Sequence, residues 1–210
     1  MILIINICKE RLHYYEFVKP ICDILDNNKI RYFVKSYKEI NRGDLEKCSK
    51  IIISGTSLYD NEFVLHSDKF KWILDFSKPL LGICGGMQII GLLFNGKMKE
   101  KTEEDKNFLK KKTEIGFYFE DFKKNFLGLT GKEEVYHLHN YFVDFSKLPD
   151  FDILCGKEIP ISHSDLVNSK KKISKSKCSQ AIKHKEKEIY GVLFHPEVRQ
   201  KKLIFNFCRL

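Results

Sequence analysis

Apolar residues arrive along the first half of the chain in short unbroken runs, each followed by a polar turn and a stretch with helical spacing. Residues 2–7 are one such run, and residues 30–34 and 50–54 are two more, the last ending at Gly55. Residues 80–84 form the fourth. Between them, residues 12–25 place Tyr14, Phe17, Val18, Ile21, Ile24 and Leu25 at helical intervals, with Pro20 inside the pattern. That spacing predicts a helix kinked near Pro20. Residues 63–76 predict a second helix, and residues 201–208 a C-terminal one. Unbroken apolar strands alternating with helices predict an α/β fold, a mostly parallel sheet covered on both faces.

The second half reads differently. Residues 97–112 are charged and lack apolar periodicity, which predicts an exposed loop or irregular helix. Strand-like stretches follow at 116–119, 135–139, 141–143, 152–155, 178–183 and 189–195. They predict a smaller antiparallel excursion. The polar, lysine-rich residues 168–177 predict a loop tip.

Composition bounds this picture. A chain of 210 residues with 43% hydrophobic content can bury a full core, and residues 1–210 are expected to form one domain. No apolar run approaches the ~18 residues of a membrane span, and no secretory signal is evident. The seven cysteines stand at 8, 22, 48, 84, 155, 178 and 208, with no C-x-x-C pair. Neither a zinc site nor a disulfide framework is expected, and a reduced cytoplasmic setting fits. The net charge of +9 comes from clustered lysines. No aromatics interleave them, so a solvated surface is expected rather than nucleic-acid binding.

Two segments carry chemistry. Gly82-Ile83-Cys84-Gly85-Gly86-Met87-Gln88 lies between apolar runs, so it reads as strand, glycine-rich turn and helix start. Such an elbow exposes a nucleophile beside main-chain N–H donors. A helix N-terminus also favours a thiolate. A lone cysteine would read as an inert core residue; the flanking glycines argue otherwise. Far downstream, an apolar strand ends in His195-Pro196-Glu197. Residues i and i+2 of an extended chain point the same way. Glu197 can then orient His195 on one nitrogen and leave the other for a thiol, the arrangement of covalent acyl transfer.

Together these segments resemble the class I glutamine amidotransferases, whose pattern is G-x-C-x-G-x-Q followed by a strand ending H-P-E. The resemblance implies a flavodoxin-like, doubly wound sheet. It also implies hydrolysis of the L-glutamine side-chain amide through a γ-glutamyl thioester on Cys84, with His195 and Glu197 completing the triad. Backbone N–H groups of Gly55 and Gly85 would form the oxyanion hole, and Gln88, Asn140 and Tyr141 would contact substrate, with no cofactor or metal. His139 matches the histidine that precedes the family's substrate-contacting backbone. Ser54-Gly55-Thr56-Ser57-Leu58 departs from the family's Ser-Gly-Gly-Pro loop. The C-terminal stretch is most similar to free-standing glutaminase subunits of archaeal GMP synthases. That likeness implies a separate ammonia-accepting synthetase as partner, an ATP-pyrophosphatase among the candidates. The alternatives are a free-standing γ-glutamyl hydrolase of the same fold and a non-catalytic binding module.

Overall fold

A computed structural model describes residues 1–105, 108–164 and 171–210. Strand β1 (Ile2–Asn6) leads into a helix of three parts: α1 (Arg11–His13), a π-helical turn (Tyr14–Val18) and α2 (Lys19–Asn27). The expected kink is thus a π turn placed just before Pro20. Proline lacks an N–H and crowds the carbonyl four residues back, here that of Glu16, and the wider turn spans that position. Strand β2 (Tyr32–Ser36), α3 (Arg42–Lys47) and β3 (Lys50–Ile53) follow. The predicted helix over 63–76 divides into α4 (Glu62–Leu65) and a 3₁₀ helix (Ser67–Asp75). Its buried Phe70 and Ile73 stand three apart, with Phe76 three further on just past its end, the period of a 3₁₀ helix rather than an α-helix. Strand β4 (Leu80–Ile83) and α5 (Gly85–Leu93) complete the first half.

The described residues of 97–112 are neither a loop nor an irregular helix. They supply β5 (Met98–Glu100), β6 (Thr102–Asp105) and β7 (Phe108–Lys111). Strands β8 (Glu114–Phe126) and β9 (Leu129–His139) form a long hairpin, and β10 (Tyr141–Val143) pairs with β5. Strands β11 (Phe151–Ser164) and β12 (Lys171–His184) pair antiparallel along their length. Residues 171–177 therefore lie in a strand, and residues 168–170 of the predicted loop tip fall outside the described residues. Apolar pattern misses both regions because antiparallel pairing satisfies main-chain groups without apolar faces. Strand β13 (Ile189–Val192) and α6 (Lys201–Arg209) close the chain.

The main sheet has the order β11-β12-β13-β4-β3-β1-β2. Its five parallel strands run β2-β1-β3-β4-β13, the flavodoxin-like order, with β12 and β11 added antiparallel at one edge. Alternation explains the unbroken apolar runs. Leu3, Ile5, Ile51 and Ile53 pack on one face with α5 and the 3₁₀ helix. Ile2, Ile4, Ile52 and Leu81 pack on the other with α2 and α6. In this fold ligands bind beyond the carboxyl ends of the strands. Gly55, Cys84 and His195 all lie at that rim.

Candidate active site

Cys84 stands between β4 and α5 with φ 47° and ψ −102°, a left-handed backbone that a side chain rarely adopts. The turn is held from both sides. The Cys84 N–H donates to the Val192 carbonyl (2.7 Å), and the Gln88 N–H donates to the Cys84 carbonyl (3.0 Å). Gly86 lets α5 press on β3: a Cβ there would come within 2.7 Å of the Ile53 carbonyl oxygen. The thiol therefore sits at the N-terminus of α5, where the helix dipole favours negative charge.

The chain continues from β13 to bring His195 to the same place. Its N–H donates to the Tyr136 carbonyl (2.8 Å), which fixes the backbone. Its Nδ1 meets Glu197 Oε1 at 2.7 Å, and both side chains are buried. The opposite nitrogen, Nε2, makes no hydrogen bond that satisfies it, while the ring lies within reach of the Cys84 side chain. Burial alone would depress this imidazole. The charges of Glu197 and Cys84 outweigh burial and hold it well above its ordinary value. Gly55 gives the tightest measure of the convergence. A Cβ built on it would lie 2.6 Å from His195 Cε1 and 3.3 Å from Cys84 Cβ.

Beside the sulfur opens a small cleft. Cys84, Gly85, Gln88, Asn140 and Tyr141 line it, so those sequence-predicted residues share one space. His139 lines it too. The Gln88 side-chain nitrogen donates to the Tyr141 carbonyl (2.9 Å). The departing loop after Gly55 has its own scaffold: Asp60 Oδ2 accepts from Thr56 Oγ1 (2.8 Å) and from the Lys9 N–H (2.7 Å). The Cys8 thiol lies 3.6 Å from the Gly55 carbonyl and orients that peptide. Burial pushes the Cys8 thiol up to about 12, which keeps this neighbour protonated.

Sequence reasoning missed several contributors. The Leu138 carbonyl faces Cys84 Sγ at 3.7 Å. Phe17, carried by the π turn, packs on the His195 ring with centroids 5.3 Å apart. Behind β9 lies a buried polar cluster of Lys101, Glu114, Glu120, His137 and His139. Glu114 Oε2 meets His137 Nδ1 at 2.8 Å and also contacts the Lys101 ammonium. Burial would raise the Glu114 carboxyl, but His137 and Lys101 hold it well below the usual range. Burial first, then Lys101 and His137, keep His139 well below its ordinary value. Glu114, His137 and His139 bring three donor atoms within 4.8 Å of one another, enough in number for a metal. The donor set does not call for one: Lys101 sits on the same carboxylate, and Lys157 lies 3.4 Å from Glu114, so two cations balance two carboxylates. The alternation of β8 in the sequence was the signal for this cluster.

Residues 13–209 match the family model for glutamine amidotransferase class-I. Among curated relatives, a glutamine-hydrolyzing GMP synthase subunit of Pyrococcus abyssi is 32% identical over 142 residues, covering 65% of this chain and 62% of that protein. The glutamine-hydrolyzing GMP synthase of Spiroplasma kunkelii is 28% identical over 168 residues, covering 75% of this chain and 27% of that protein. The chain thus spans less than two thirds of these relatives. A solved Thermoplasma acidophilum structure, described as a GMP synthase subunit, superposes with a TM-score of 0.73 at 21% identity, over 99% of this chain and 92% of the other. Among the described residues, no helix is long and apolar enough to cross a membrane.

Proposed function

The chain belongs to the class I glutamine amidotransferases, and on that premise we propose that it hydrolyses the side-chain amide of L-glutamine through a covalent intermediate on Cys84. The observation that carries this reading is the convergence at Gly55, whose Cβ position touches both the His195 ring and Cys84. The Cys84 thiolate attacks the amide carbon. The oxyanion that forms is met by the main-chain N–H groups of Gly55 and Gly85. Protonated His195 gives its proton to the leaving nitrogen, ammonia departs, and a γ-glutamyl thioester remains. Water, losing a proton to His195, attacks the thioester and releases glutamate and the free thiol. Glu197 holds the ring and stabilises its charged form.

Gln88, Asn140 and Tyr141 line the wall against which glutamine would lie. The similarity to glutamine-hydrolyzing GMP synthase subunits supports delivery of the ammonia to a separate synthetase of the ATP-pyrophosphatase type. Residues 1–210 would act as one glutaminase domain in the cytoplasm, where seven unpaired cysteines stay reduced.

The test is covalent trapping. Incubation with a diazo-ketone analogue of glutamine should add one mass equivalent, mapped to Cys84, in step with loss of glutaminase activity. Cys84→Ala should neither label nor hydrolyse glutamine. Hydrolysis retained by that variant would overturn the assignment.

A further inference from the structure

The first half of strand β8, from Glu114 to Glu120, is patterned the wrong way round for a ribbon with one wet face. In such a ribbon apolar residues point in and polar residues point out. Here Glu114 and Glu120 point in, against His137 and His139, and all four are buried. The outward positions carry Ile115, Phe117 and Phe119, which are 55%, 58% and 63% exposed. The register sets Leu138 opposite Ile115 and Tyr136 opposite Phe117, so both strands feed one apolar stripe. The Phe117 and Tyr136 rings meet edge to face, with centroids 5.3 Å apart. Single exposed apolar residues need no explanation; a contiguous stripe marks an interaction surface.

The same ribbon holds the catalytic pair. The Tyr136 carbonyl accepts the His195 N–H, and the Leu138 carbonyl faces Cys84 Sγ. A body seated on the stripe would press on the two main-chain groups that position nucleophile and base. The surroundings carry an excess of lysine: Lys123 and Lys124 lie exposed further along β8, and Lys132 Nζ sits 4.8 Å over the Phe119 ring, against an exposed Asp121 and a Glu134 already paired with Arg199. The whole chain carries +9, so two copies repel and an acidic surface is attracted.

We propose that the outer face of the β8–β9 ribbon is the docking surface for the ammonia-accepting synthetase, a separate protein presenting an apolar patch ringed by carboxylates. The inference rests on the glutaminase reading above and adds where the partner sits. Docking there tightens the Tyr136–His195 and Leu138–Cys84 contacts, so the partner raises the glutaminase rate.

The experiment uses the full chain and, as probe, the GMP synthase-type ATP-pyrophosphatase from the same organism. Sedimentation velocity and titration calorimetry measure association, and glutamate release measures activity. Wild type should bind the probe and hydrolyse glutamine faster with it. Phe117→Ser/Phe119→Ser should weaken binding at least tenfold and abolish the stimulation, with basal hydrolysis within twofold of wild type. Both side chains are more than half exposed, so the variant should melt near wild type. Lys123→Glu/Lys132→Glu is a second variant and should weaken binding in a salt-dependent way. Three results would overturn the proposal: equal probe binding by wild type and the serine variant, no probe binding by wild type, or a wild-type homodimer that the serine substitutions dissociate. Absence of glutamine hydrolysis by wild type would strike the glutaminase reading instead, and the binding measurement would still judge the surface.

Discussion

The side-chain amide nitrogen of Gln88 donates to the main-chain carbonyl of Tyr141 at 2.9 Å, across the cleft that also exposes Cys84. This bond ties the first turn of α5 to β10, so this wall of the cleft is set by the helix that follows Cys84. Gln88→Ala would leave a carbonyl unpaired at the cleft and free β10 to shift. A lost bond of about 1–1.5 kcal/mol corresponds to roughly a tenfold change. The KM for glutamine should rise about that much, with kcat within a few-fold, read from steady-state glutamate release. An unchanged KM would remove Gln88 from substrate positioning.

Gly55 leaves no room for a side chain. An added Cβ would lie 2.6 Å from His195 Cε1, closer than any real contact, and 3.3 Å from Cys84 Cβ. Glu197 holds the ring and the Tyr136 carbonyl holds the His195 main-chain N–H, so the clash must displace the ring from the thiol. A displacement near 1 Å costs on the order of 100-fold in rate. Gly55→Ala should lose about that much in kcat/KM while circular dichroism and the melting curve stay close to wild type. Near-normal kcat/KM would show that His195 need not stand where it does.

The parallel half of the fold was legible because its strands are buried on both faces, and continuous Ile and Leu runs have no other common explanation. Cys84, His195 and Glu197 were legible for a related reason: glycine spacing and an i, i+2 pair encode geometry locally. The segment from 97 to 112 was not, since β5, β6 and β7 are short and charged and owe their form to pairing partners outside the reach of an apolar pattern. Leu138 and Tyr136 could not be read either, because they act through carbonyl groups that every residue has. Phe17 looked like one more core position on a helix. Only the π turn before Pro20 turns it toward His195.

The backbone at Cys84 sets stability against activity. With φ at 47° the residue occupies a region that costs a side chain on the order of 1–3 kcal/mol and costs glycine little. Cys84→Ala keeps that strain and Cys84→Gly relieves it. The glycine variant should be more stable than the alanine variant by about 1 kcal/mol in chemical denaturation, although glycine ordinarily lowers stability. Neither should hydrolyse glutamine. An alanine variant as stable as the glycine variant would mean that the elbow stores no strain.

His139 makes a pH-dependent contribution that can be separated from packing. Its ring is buried against Glu114, Lys101 and His137, near His195, and burial with the cationic neighbours holds it well below its ordinary value. The unfolded chain therefore binds a proton near about pH 6.5 that the folded chain does not. Where the unfolded state binds more protons, stability rises with pH. The contribution is thus fully present above about pH 6.5 and is lost as pH falls toward the depressed folded value, by about 1 kcal/mol per unit. His195 has the opposite sign, since its folded value is raised and its contribution is complete below about 6.5. The comparison that isolates His139 is wild type against His139→Gln by urea denaturation at about pH 7.5 and about pH 5.5. The substitution removes some packing at both pH values, but it also removes the titration. The gap between wild type and variant should shrink by about 1 kcal/mol on going from the higher pH to the lower. A gap that stays constant would mean that His139 takes up its proton inside the fold as readily as outside it.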